Sequence, residues 1–304
     1  MQAIVEMKEV VHEFRKGERV LANLNLSVPK GSIYGFLGPN GAGKTTTLRI
    51  LLGLLKHQTG SVRVFDEDVS SHRSSILART GSLIESPSIY AHLSASENLN
   101  VWRVIYQVPQ YRINEVLELV GLSDTGKKKA GQFSLGMKQR LSIAIALLHN
   151  PEFLVLDEPT NGLDPEGILE MRDLLRKLNR ERQTSIIISS HLLSEIERIA
   201  SHIGIIHNGS MKFEGSLDEL KAMSAASARL HIRAKDMERV GRVLDEQRIS
   251  YLFRGGNLLL PAMPELEIAA INSMLVNADC EVYHLSLEKN DLEGIFINLI
   301  QHEK

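Results

Sequence analysis

Gly38-Pro39-Asn40-Gly41-Ala42-Gly43-Lys44-Thr45-Thr46 fits the phosphate-binding loop pattern G-x-x-x-x-G-K-[ST] without a mismatch. The run before it, Ser32-Ile33-Tyr34-Gly35-Phe36-Leu37, is short and apolar and predicts a buried strand. The run after it, Thr46 to Leu55, predicts an apolar helix. Strand, glycine-rich turn and helix are the context the motif needs. Glycines let successive backbone N–H groups point into one concavity that cradles phosphate oxygens. The helix N-terminus adds partial positive charge, and the Lys44 ammonium can reach the β- and γ-phosphates. The Thr45 hydroxyl is placed to ligate Mg²⁺. Residues Gly38 to Thr46 therefore predict a nucleoside-triphosphate site.

The 304 residues suffice for one large domain or two ordinary ones, and 43% hydrophobic with 24% charged residues is a globular composition. A net charge of −2 gives no bulk electrostatic reason to bind nucleic acid, and none is expected as a partner. With one cysteine, Cys280, no internal disulfide forms, and a reducing compartment is expected. The N-terminal residues lack the basic start and apolar core of a secretory signal. No run approaches eighteen uncharged apolar residues, so any membrane role is expected to come through a partner.

Residues 3–37 read as short strands with turns at Lys16-Gly17-Glu18 and Pro29-Lys30-Gly31. Phe14 is assigned to the first strand among polar neighbours; it suits stacking under an adenine ring, or is an ordinary sheet residue. Residues 61–84 read as further short strands. Ser94 to Leu122 turns helical, with Ser94 and Ser96 as cap candidates and Gly121 as its end. Lys127-Lys128-Lys129 is read as a solvated helix end that can add positive potential near phosphates. Leu135–Leu148 and Glu166–Arg182 predict helices; Phe153–Leu156 and Thr184–Ser190 predict buried strands; a hairpin is expected through His207-Asn208-Gly209-Ser210. Alternating apolar strands and helices predict a mostly parallel sheet covered on both faces, an α/β fold. Ala222 to Ala228 looks like a linker. Beyond it, strand, helix, two strands, helix, strand and helix over 229–301 predict a small α+β domain, ferredoxin-like in order. The expected domains are thus 1–221 and 222–304. His231, His284 and Cys280 show no metal-ligand spacing.

A phosphate loop alone leaves kinases, GTPases and motor ATPases open. Leu154-Val155-Leu156-Asp157-Glu158 narrows the choice by setting two carboxylates at the C-terminal end of a buried strand, where open α/β sheets bind ligands. Asp157 suits Mg²⁺, a hard cation that takes oxygen ligands. Glu158 suits polarising a water for in-line attack on the γ-phosphorus.

Through these motifs, residues 3–220 resemble the nucleotide-binding subunits of ATP-binding cassette (ABC) transporters. Phe133-Ser134-Leu135-Gly136-Met137, followed by Lys138-Gln139-Arg140, is similar to the family signature Leu-Ser-Gly-Gly-Gln, with Leu135 in place of the first glycine and Met137 in place of the glutamine. Ser134 and Gly136, which the family uses to hold γ-phosphate, are kept. Asn161-Gly162-Leu163-Asp164 resembles the dimer-interface loop, and His191 the switch histidine that senses γ-phosphate. Glu85 stands where the family usually has a glutamine that touches Mg²⁺ or the attacking water; a carboxylate there should tighten metal binding and repel γ-phosphate.

The resemblance implies a P-loop fold of parallel-sheet core, antiparallel β subdomain and helical subdomain (about 87–150). It implies two copies packed head to tail with ATP and Mg²⁺ between them, Ser134 and Gly136 acting in trans. Lys44, Glu158 and His191 would be the catalytic residues; Phe14, the loop residues and Asp164 would contact ATP; Thr45, Glu85 and Asp157 would hold the metal. Hydrolysis would drive a separate permease docked near Glu85–Tyr111, where Pro87, Ile89 and Tyr90 either dock or pack within the helical subdomain. The subunit would then sit on the cytoplasmic face of the membrane. Glu85 with Ser-Pro following, and the Ser-Leu-Gly-Met-Lys-Gln-Arg signature, resemble the subgroup that exports bacitracin-like and lantibiotic peptides for self-protection. The alternative is a soluble ABC-type ATPase acting on ribosomes, DNA or a regulator. That reading favours tandem cassettes, a long coiled coil or a basic face, and the sequence has none of these.

Overall fold

Three strands carry the interior because every residue in them is buried: β3 Ile33–Leu37, β7 Phe153–Asp157 and β8 Ser185–Ser190. Runs of this kind, apolar without alternation, belong at the centre of a sheet covered on both faces. The structure is a computed structural model; it describes residues 2–15, 17–84, 89–226, 229–288 and 292–301. The chain forms two compact units, Met1–Leu217 and Asp218–Lys304.

In the first unit, β1 Ala3–Glu13 and β2 Arg19–Pro29 pair antiparallel and lead into β3. Helix α1, Lys44–Leu51, leaves the phosphate loop, and β4 Thr59–Val64 with β5 Glu67–Asp68 completes an antiparallel sheet of order β2-β1-β4-β5. Next come α2 Val69–Ala78, β6 Thr80–Leu83, and the helices α3 Ala95–Tyr106, α4 Tyr111–Leu119 and α5 Leu135–Leu147. After β7 follow α6 Pro165–Arg182, β8, α7 Leu193–Ile196, and the hairpin of β9 His202–His207 and β10 Ser210–Ser216. The main sheet has the order β10-β9-β3-β8-β7-β6, parallel except for β10. Its core joins the antiparallel sheet through Leu24, Leu26, Tyr34, Phe36, Phe153 and Ile187.

Several expectations need correction. The first two strands are eleven residues each, not short, and Phe14 lies in the bend past β1 rather than in the strand. Residues 69–78, read as strand, form α2; only Val69 and Ile76 are buried, so no apolar stripe marks the helix. Its start was signalled by Asp68, whose carboxylate accepts from the amides of Ser70 and Ser71. The helical stretch 94–122 breaks at Gln107, which adopts φ +52 ahead of Pro109. Ser94 does cap α3, in a reciprocal box with Glu97. Residues 222–226, read as linker, belong to helix α8, Leu217–Ala226.

The second unit runs β11 Arg229–Ala234, α9 Met237–Glu246, β12 Leu252–Arg254, β13 Asn257–Pro261, α10 Glu265–Asn277, β14 Val282–Glu288 and α11 Leu292–Gln301. Its strands are ordered β12-β13-β11-β14, every pair antiparallel. Leu230, Ile232, Leu258 and Leu260 from the sheet pack with Leu244 and Leu275 from the helices. It is an α+β domain.

Candidate active site

The phosphate loop follows directly from β3. Gly41 and Gly43 adopt φ +81 and +107, the left-handed region that glycine enters without steric cost, and so turn the chain into α1. Lys44 is buried and donates to the carbonyl of Gly38 at 2.7 Å and to that of Pro39 at 3.4 Å, which holds its ammonium inside the loop. The same ammonium is 3.4 Å from Glu158 Oε1. One helical step on, the Thr45 hydroxyl donates to Asp157 Oδ2 at 2.7 Å.

Parallel pairing of β7 with β8 aligns Asp157 with Ser189. Ser189 is fully buried; its hydroxyl donates to Asp157 Oδ1 at 2.5 Å and accepts the Glu158 amide at 2.9 Å. Asp157 is thereby held at both oxygens. Glu158 adopts φ +48, unusual for a residue with a side chain, and its carboxylate is gripped from two sides: Lys44 at Oε1 and His191 Nδ1 at 2.9 Å from Oε2. A carboxylate so placed beside a buried ammonium and an imidazole can accept a proton from a water at the sheet edge.

Beyond Glu158 the chain makes two consecutive turns, Asn161 N to Glu158 O and Leu163 N to Thr160 O, and Asp164 then caps α6 through the Gly167 amide. Ser134 likewise caps α5, accepting from the Met137 amide. These caps face a common cavity of about 430 Å³, lined among others by Ser134, Gly136, Arg140, Gly162 and Asp164. Ser134, Gly136 and Asp164 are therefore neighbours. No hydrogen bond or ion pair among the described residues joins Ser134 or Gly136 to Lys44, Asp157, Glu158 or His191.

Phe14 is half exposed and meets His12 edge-on with ring centroids 4.8 Å apart. Val20 and Leu21, a few residues after its turn, lie against Gly43, so this hairpin end borders the phosphate loop. Glu85 and Pro87 lie outside the described residues. Ile89 is partly buried and Tyr90 half exposed, with its backbone N–H and C=O both bonded to the Asn98 amide.

The family model described as ABC transporter matches residues 21–161. The bacitracin transport ATP-binding protein BcrA of Bacillus licheniformis is 44% identical over 93% of this chain and 93% of its own length. The chain belongs to the ABC transporter ATP-binding family. The lantibiotic transport ATP-binding protein SrtF of Streptococcus pyogenes is 46% identical over 66% of this chain and 85% of that protein. Among solved structures, a dimeric post-hydrolysis ATP-binding cassette bound to ADP and Pi is 26% identical, with TM-score 0.64 over 70% of this chain and 98% of that one. This ABC subunit is accordingly an ATP-binding ATPase whose turnover is coupled to transport. The alternative of a soluble cassette without a transport role is not favoured by these relatives.

Two site residues escaped sequence reading. Ser189 was seen only as part of an apolar strand, and its role emerges from the β7–β8 register. Glu195, which accepts from the Thr160 hydroxyl at 2.6 Å, carried no motif.

Proposed function

We propose that this chain powers export of an antimicrobial peptide or similar drug through a separate membrane permease, working as a pair of identical copies. The observation that carries the cargo reading is its likeness, over nearly the whole chain, to a bacitracin transport ATP-binding protein. Lys44 would leave its loop carbonyls for the β/γ-phosphates, while Phe14 stacks on the base. Thr45, Asp157 and Glu85 would hold Mg²⁺ with waters and phosphate oxygens; the hydroxyl and carboxylate 2.7 Å apart are the hard donors that ion takes. When bound, it neutralises phosphate charge. Glu158 accepts the proton of the attacking water, oriented by His191. Ser134, Gly136 and Asp164, neighbours in one cavity, serve the ATP of the other copy.

The subunit would attach to the cytoplasmic face through the permease; no helix of the described residues is long and apolar enough to cross a membrane. A cavity of about 420 Å³ lined among others by Leu52, Leu54, Ile84, Trp102, Tyr106 and Ile145 supports docking in the Glu85–Tyr111 region, to which Trp102 and Tyr106 belong. The element order and all-antiparallel sheet of residues 222–304 support a ferredoxin-like accessory domain.

Glu158→Gln tests the reading. The variant should bind ATP, lose turnover, and run as a dimer on gel filtration with ATP but not with ADP. A variant that stays monomeric with ATP and still hydrolyses it would refute both the base and the paired site.

A further inference from the structure

Two stretches of backbone face each other across the catalytic carboxylate: residues 158–160, which lead into the turns at 161–164, and residues 190–195. They are joined in two places. One is the contact of His191 with Glu158 at 2.9 Å; the other is the Thr160 hydroxyl donating to Glu195 Oε2 at 2.6 Å. Ser190 strengthens the second joint, its hydroxyl lying 3.4 Å from the same Glu195 oxygen while accepting the Leu192 amide at 3.1 Å. His191 is thus framed between a residue that turns back on Leu192 and a carboxylate that reaches across to Thr160.

Glu195 also has a firm base. It sits on α7, and the next residue, Ile196, is buried against Gly35 in β3. A Cβ on Gly35 would lie 2.0 Å from Ile196 Cγ2, so the helix approaches the central strand as closely as the backbone permits. The phosphate loop departs from that same strand. The Thr160–Glu195 hydrogen bond therefore ties the loop bearing Asp164, which lines the cavity shared with Ser134 and Gly136, to the strand that carries the phosphate loop.

We propose that Glu195 is a positioning residue: through Thr160 it holds the 161–164 loop in register with the His191–Glu158 pair, so that turnover depends on where that loop stands. The inference rests on the reading of Glu158 and His191 as the hydrolytic pair. It makes three statements. Loss of the Glu195 carboxylate slows the chemical step and leaves nucleotide affinity alone, because its hydrogen bonds go to Thr160 and Ser190 rather than to the phosphate loop or its lysine. Loss of the Thr160 hydroxyl does the same. The two losses are not independent, because they break one bond.

The experiment is MgATP turnover and fluorescent-ATP binding by the purified full chain and by Glu195→Ala, Glu195→Gln, Thr160→Val, Thr160→Ser and the Glu195→Ala/Thr160→Val double variant. Misplacing a reacting group by about an ångström costs up to about a hundredfold, so a drop in kcat of about tenfold is expected for Glu195→Ala and for Thr160→Val, with KM and ATP affinity within twofold of the parent. The double variant should fall no further than either single one. Glu195→Gln and Thr160→Ser, which keep an acceptor and a donor, should retain most turnover. Should Glu195→Ala not fold, the contrast between Thr160→Val and Thr160→Ser decides alone. Single-variant losses that multiply in the double variant, equal damage from the conservative changes, or unaltered kcat in Thr160→Val would each overturn the proposal. Turnover that survives Glu158→Gln would instead overturn the hydrolytic reading, and the two failures are told apart by that control.

Discussion

At the scale of single residues, the site depends on one hydroxyl that carries two duties. Ser189 orients Asp157 and also pins the amide of Glu158, a residue held in a left-handed conformation. Ser189→Ala leaves that amide without its partner and frees one carboxylate oxygen; each lost bond is worth about 1 kcal/mol. The expected outcome is kcat reduced by about tenfold and a higher Mg²⁺ concentration for half-maximal rate, read from a metal titration of ATPase activity; a normal Mg²⁺ curve would show that Asp157 needs no such support. The phosphate loop was legible because its chemistry is local: nine consecutive residues make the cradle. Ser189 was not, because a serine two positions before His191 acquires meaning only when β7 and β8 pair in register.

Elements show the same division. β3, β7 and β8 were readable as uninterrupted apolar runs, and the Ser94–Glu97 box announced α3. α2 was missed because its burial comes from two residues rather than a stripe. Asn98, wholly buried on α3, accepts the Tyr90 amide and donates to the carbonyls of Tyr90, Leu93 and Ser94, so it helps to fix the loop entering the helix. Asn98→Ala should cost about 3 kcal/mol in urea unfolding, the scale of stranding buried polar groups; a loss under about 1 kcal/mol would mean water replaces the side chain. His149, just past α5, is stacked on Tyr106 with Nε2 3.2 Å from the Thr80 carbonyl. Burial pushes its pKa below the ordinary 6.5. The unfolded chain then takes the proton first, so this ring's stabilisation is complete above pH 6.5 and is lost as the pH falls toward the folded value. Melting temperature should decline with acid over that window, and His149→Phe should flatten the slope.

For the whole molecule, the cavity beside α3 is lined by none of the described residues assigned to ATP or Mg²⁺. Leu54 lines it and is half exposed. Leu54→Glu should therefore leave basal ATPase activity within about twofold while abolishing recovery with membranes that contain the permease; retained membrane association would place docking elsewhere. Neighbour relations in the main sheet have a further consequence, for synthesis. β3 lies between β8 and β9, although about 150 residues separate Leu37 from Ser185. The most readable motif in the chain is thus left without strand partners for roughly 7 to 30 s of translation at ordinary rates. A ribosome halted before His207 should carry a nascent chain that ignores ATP, whereas one halted well into the second unit should present a cassette that retains it.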